Sequence, residues 1–334
     1  MTSAQYKFIN WYFSSASVVL DNEIEYNKKM IANFVCESLP VFKSAPCDKK
    51  NTIYLEKFTP AVSNKVIING LNKMINTIKC NREVFHNVLI HGSYSSDDYS
   101  IGWSDLDALV IIKNDVFNDC HKLIKARELV MQCISELRII DPLCHHEFQI
   151  IPEECLRDFQ TNWLPISVIK KSKSILSTDI TIKSSDRTAN SVDAIRSFSE
   201  TLQAACDTGY LDHHPWKGEY LLDNYDNYQN GMYQLKYLLS VVVLMPALYF
   251  TAKGRSMTKP EAIEMAKKEM PFIDYEILDK ATEIRLKWSI QESHPYIGNG
   301  IPKWLINDLG YDYFGRSYKF VYSILDNLIS INVK

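Results

Sequence analysis

The sequence predicts an α+β protein, with a small mixed sheet flanked by helices and then an all-helical C-terminal domain. Three observations carry that expectation. Short apolar runs, Asn87–His91 and Ala108–Ile112, flank a polar loop that opens on Gly92, as two strands and their connection would. Apolar residues recur at helical spacing from Val62 to Ile78 and again from Phe117 to Leu137. Beyond residue 190 the pattern is helical almost throughout. The expected division is an N-terminal accessory segment over 1–58, a sheet-bearing domain over 59–180 and a helical domain over 190–334.

Composition excludes several classes. The chain has 334 residues, enough for two domains, and its 46% hydrophobic and 23% charged content is that of an ordinary globular protein. A formal charge of −3 and a pI near 6.3 give no global attraction to nucleic acid or to an anionic membrane. A nucleic-acid partner is left open only through local basic patches. The longest apolar run, Tyr237–Phe250, is broken by Ser240 and Pro246 and reads as too short to span a bilayer. No basic region leads into an apolar one at the start, so no signal peptide is expected, and the expected location is cytoplasmic. The eight cysteines form no Cys-x-x-Cys pair, which argues for scattered reduced thiols over a zinc site.

In chain order, aromatics crowd the start (Tyr6, Phe8, Trp11, Tyr12, Phe13), and one helix is expected over about Asn22–Leu39. Thr59-Pro60 should cap the first long helix. Asn114-Asp115 should cap the second, and Asp141-Pro142 should end the connection after it. His145–Ile151 reads as a third strand, with Glu147, Gln149 and Ile151 on one face and His146, Phe148 and Ile150 on the other. Neither His145 nor His146 is assigned a role. Residues 152–176 read as helical, with Lys170, Lys171 and Lys173 close together, and 177–190 as a polar linker. Asp223–Gly231 reads as a loop. An apolar helix follows over Met232–Thr251, bent or split near Pro246, and then a turn leads to a helix with Pro260 in its first turn.

The chemistry concentrates between His91 and Asp107. Alternation along a strand would project Asp105 and Asp107 from one face, and would turn Leu106 and Ala108 into a core. Two carboxylates that close repel unless a cation lies between them, and a divalent metal is the usual answer. Gly92-Ser93 at the start of a turn frees backbone N–H groups and a hydroxyl for phosphate oxygens.

Gly92-Ser93, eleven residues, then Asp105-Leu106-Asp107 preceded by Ser104 resembles the signature of the DNA polymerase beta-like nucleotidyltransferase superfamily. The resemblance implies that Gly92, Ser93 and Ser104 bind a nucleoside triphosphate. It further implies that Asp105 and Asp107 hold two magnesium ions, with Glu147 as third carboxylate, either metal ligand or base. The turn from Gly254 to Lys259, leading into an Ala-containing helix, resembles the C-terminal domain of streptomycin/spectinomycin-type aminoglycoside adenylyltransferases. There the matching lysine contacts the triphosphate, which implies that role for Lys259. Those enzymes also carry an acidic residue that meets the cationic drug, where this chain reads Tyr233-Gln-Leu-Lys236.

What the resemblance implies is transfer of a nucleoside monophosphate, AMP from ATP, to a hydroxyl on a small molecule. Transfer to tRNA or protein, and a catalytically inactive nucleotide-binding module, are the alternatives.

Overall fold

The computed structural model describes residues 3–14, 17, 25–38, 50–62, 64–96, 99–141, 146–159, 164–183, 191–209, 211, 228–255, 257–288 and 302–332. They form a mixed α+β structure divided into two compact units. The first takes the described residues up to 183 apart from Ser100–Trp103; the second takes Ser100–Trp103 and the described residues from 191 onward, and each is described by itself.

The first unit is built on a five-stranded mixed sheet in the order β2-β6-β3-β4-β5, with β2 at Glu56–Lys57, β3 at Phe85–His91, β4 at Asp107–Ile112, β5 at Gln149–Pro152 and β6 at Lys173–Ser174. β3 and β4 are antiparallel and pair His91 with Asp107, while β5 runs parallel to β4. β1 (Lys50–Tyr54) pairs antiparallel with β7 (Asp179–Lys183) in a separate ribbon. Alternation sends Leu89, Leu109, Ile111 and Ile151 into one core with Ile180 and Ile182. Helices α3 (Lys65–Cys80) and α4 (Cys120–Ile140) pack on each other through stripes such as Ile67, Leu71 and Met74, and Leu123, Val130 and Ile134.

Helix starts are set by side chains that satisfy the orphan N–H groups of the first turn. Asn64 accepts from Val66 and Ile67, so α3 begins there, and the expected cap at Thr59-Pro60 lies in irregular chain ahead of it. Asp119 does the same for α4, while Asn114–Asn118 forms a 3₁₀ turn. Two more expectations are corrected. The described residues of 153–176 hold a 3₁₀ turn, the short helix α5 (Ile166–Lys170) and a two-residue strand, and Asp179–Lys183 is a strand where linker was expected. Ile180 and Ile182, alternating with Thr181, drive that strand into the core. Residues 184–190 lie outside the described residues, as do 212–227 and His145.

The aromatic N-terminus forms α1 (Ser3–Tyr12), followed by α2 (Glu25–Ser38). α1 braces β5, a sheet edge. The Asn10 carboxamide donates to the Ile150 carbonyl (3.0 Å) and accepts from its N–H (2.8 Å), taking the place of a neighbouring strand. Buried Arg127 on α4 donates to the carbonyls of Tyr12 (2.6 Å) and Ser17 (3.1 Å), and its guanidinium lies over the Tyr12 ring.

The second unit is helical: α6 (Ser191–Thr208), α7 (Tyr228–Ala252), α8 (Lys259–Glu269), α9 (Tyr275–Lys287), α10 (Lys303–Leu309) and α11 (Tyr313–Asn332). α7 runs unbroken through Pro246. Its stretch Gln234–Ala252 is long and apolar enough to cross a membrane, which corrects the expectation drawn from the shorter run, but it is largely buried and serves as a core helix. Lys236 on it is fully buried. Trp103 packs edge-on against Trp288 (ring centroids 5.2 Å apart), and Ser100 donates to the Arg285 carbonyl (2.6 Å). The described cysteines of both units are free thiols.

Replacing Asn10 with Ala should leave both backbone groups of Ile150 without this partner. The expected loss is about 1–3 kcal/mol in urea denaturation, with faster amide exchange at Ile150. An unchanged midpoint and unchanged exchange would show that α1 does not brace the edge.

Candidate active site

The site forms where β3 ends and β4 begins. Gly92 takes a left-handed conformation (φ 66°), which L side chains adopt only at a cost. A second constraint acts at the same residue: a Cβ there would collide with a carboxylate oxygen of Asp107. The backbone thus turns directly over the carboxylate, and only glycine allows it.

Ser95 holds the turn, donating to the Gly92 carbonyl through its N–H (3.2 Å) and its hydroxyl (2.9 Å); the Ser96 hydroxyl adds a third bond (3.3 Å). The half-exposed Ser93 hydroxyl has no partner among the described residues. Ser104 is buried.

Asp105 and Asp107 both approach one imidazole. His146 Nε2 lies 3.1 Å from Asp107 Oδ1 and 3.9 Å from Asp105 Oδ2, and His146 Nδ1 lies 3.2 Å from the Glu147 carbonyl. Burial works against charge on both partners and is outweighed. The Asp107 hydrogen bond and the two carboxylate charges push His146 up to about 9. Asp107 is held below the usual carboxylate range by the His146 bond and by the charges of His146 and His91, with Asp105 opposing. Both members of the pair are therefore ionised at neutral pH.

Glu147 was expected beside the aspartates. Its buried carboxylate meets the Arg138 guanidinium (3.4 Å) at the end of α4, and the preceding residue, His146, reaches the pair. The ladder of β5 starts only at Gln149, so the strand alternation assumed for 146 and 147 does not apply to them.

Two further groups escaped the sequence analysis. Tyr94 is buried, packs at a tilt against Tyr99 (4.0 Å between centroids) and donates its hydroxyl hydrogen to the Tyr99 hydroxyl (2.6 Å). Its phenol is raised well above the usual value by burial first, then by Tyr99 and by the charges of Asp141 and Asp105. Asp141 is itself buried, so a third carboxylate stands near this site. A lone aspartate before proline gave no signal beyond a turn.

In the second unit Lys259 is exposed at the start of α8, with no ion pair among the described residues. Gly254 (φ 76°) ends α7 in a Schellman motif, Arg255 N–H bonding the Phe250 carbonyl (2.8 Å) and Gly254 N–H that of Thr251 (2.9 Å). Thr258 and Glu261 then form a capping box for α8.

The donors fit a magnesium ion in kind. Asp105 and Asp107 offer hard oxygen ligands, and they already draw in a cationic ring. No set of three or more His, Cys, Asp or Glu side chains is arranged for a metal among the described residues. Compared with known proteins, the chain matches no family model and no curated protein.

Gly92→Ala should cost about 1–2 kcal/mol from the left-handed backbone alone, and should also push Asp107 away from Asp105. The expected result is a lower urea midpoint together with a tenfold or greater loss of Mn²⁺ affinity, at unchanged far-UV circular dichroism. Wild-type metal affinity in this variant would show that the close approach does not shape the carboxylate site.

Proposed function

We propose that the protein is a magnesium-dependent nucleotidyltransferase, moving AMP from ATP to an acceptor hydroxyl with release of pyrophosphate. One observation carries this reading: a glycine-serine turn pressed onto the second of two carboxylates that converge on one cationic group. Asp105 and Asp107 would hold the metal. When bound, magnesium would offset charge growing on the α-phosphate and on the departing pyrophosphate.

The Ser93 hydroxyl, which has no partner among the described residues, and N–H groups of the turn would receive phosphate oxygens. The acceptor oxygen attacks the α-phosphorus, the bond to the pyrophosphate oxygen breaks, and the acceptor's proton passes to a base. Glu147 is the residue we assign to that proton, with Arg138 fixing its carboxylate. The chemistry needs no compartment beyond a reducing one, and the free thiols agree with a cytoplasmic setting.

Where the resistance enzymes carry an acid that meets their cationic drug, this chain reads Tyr233-Gln-Leu-Lys236, which counts against an aminoglycoside as the acceptor.

Incubation with α-labelled ATP, magnesium and separate pools of small hydroxylated compounds, tRNA and protein tests the reading directly. Label should move to one pool with equimolar pyrophosphate, and Asp107→Asn should cut the rate by about 10²–10³-fold or more, as loss of one preorganised charge does elsewhere. Transfer that survives EDTA, or full activity in Asp107→Asn, would refute it.

Glu147→Gln should keep ATP affinity in calorimetry and lose about 10²–10⁴-fold in turnover. If turnover holds while the melting temperature falls, Glu147 is only the partner of Arg138.

A further inference from the structure

We propose that His146 is the resident occupant of the Asp105–Asp107 site, a side chain that an incoming divalent cation must displace. This rests on the nucleotidyltransferase reading only for the identity of that cation as magnesium. The geometry is competitive. His146 Nε2 stands 3.1 Å from Asp107 Oδ1 and 3.9 Å from Asp105 Oδ2, on the side where the two carboxylates converge. A magnesium ion bound by the same oxygens would lie about 2.0–2.1 Å from each and would need the lone pair that the ring now uses. The donating Nε2 cannot serve as a ligand while it donates, and magnesium prefers oxygen to imidazole nitrogen. Ring and ion therefore exclude each other.

The surroundings allow the exchange. His146 precedes the ladder of β5, which begins at Gln149. A third of its side chain is exposed, leaving a path out to solvent. Its other ring nitrogen touches the Glu147 carbonyl, so displacement frees the backbone next to the third acid. In the resting protein the ring offsets carboxylate repulsion, and free magnesium must compete with it. Magnesium carried by a triphosphate brings phosphate contacts that help it win. His146 thus couples metal loading to nucleotide loading.

The test is Mn²⁺ and Mg²⁺ binding by calorimetry, without nucleotide, on the wild type, His146→Ala, His146→Asn and His146→Ala/Asp107→Asn. If the ring occupies the site in about nine molecules of ten or more, removing it should tighten binding tenfold or more, because apparent affinity scales with the competent fraction. Both single variants should show this, and the double variant should lose it.

Histidine-labelled wild-type protein supplies a second measurement that needs no substitution to fold well. The His146 resonance, identified by its absence from His146→Asn, should leave its Asp107-bonded position as Mg²⁺ is added. Equal affinities in the wild type and His146→Ala, or an unmoved resonance at saturating Mg²⁺, would overturn the proposal and leave the nucleotidyltransferase reading standing. Weaker binding in both variants would also overturn it, making His146 a ligand. If no variant binds metal, the proposal falls; if labelled ATP also fails to transfer, the nucleotidyltransferase reading falls with it.

Discussion

The pairing of His91 with Asp107 across β3 and β4 is the constraint on which the first unit's chemistry depends. It sets the last residue of one strand against the first of the next, so the chain must turn over a carboxylate. Gly92 makes that turn sterically possible. Register also decides which way Asp107 points: it shares a face with Leu109 and Ile111, which lie in one core with Leu89 and Ile151.

Holding two carboxylates together then creates an electrostatic debt that the protein settles from a third segment. His146 comes from the approach to β5, and β5 is an edge strand. The position of that strand depends partly on the start of the chain, because Asn10 pairs with both backbone groups of Ile150. Arg127 in turn ties the end of α1 to α4, through two carbonyls and the face of Tyr12. The N-terminal residues, expected as an accessory segment, are thus joined by hydrogen bonds to the strand that follows the candidate site's histidine.

What the sequence made legible follows from how strongly each pattern was imposed. β3 and β4 are buried and apolar, and their intervening loop opens on a glycine whose place the geometry demands, so both strands and the Asp-x-Asp pair could be read directly. The stripes of α3 and α4 were visible for the same reason, though their starts were not: Thr59-Pro60 was expected to cap α3, and Asn64 holds its first turn. β7 was hidden because Asp179, Thr181 and Lys183 made a two-isoleucine alternation look like linker. His146 was missed because strand alternation was carried back to His145, four residues ahead of Gln149, where the ladder begins.

Lys259 shows how a motif can be real in structure and still say little about chemistry. The interval from Gly254 to Lys259 is accounted for by helix termination and initiation: a Schellman glycine, then a capping box whose threonine and glutamate fix where α8 starts. That spacing would arise in any two helices joined this way, so it is not evidence for a phosphate contact. What remains is the residue type. A lysine in the first turn faces the positive end of the helix dipole, a placement that costs about 0.3–1 kcal/mol at low salt. Lys259 is exposed there, with no carboxylate partner among the described residues to offset the cost, and Glu261 is already committed to the cap. Local stability therefore does not explain this lysine, and the helix junction alone gives it no role.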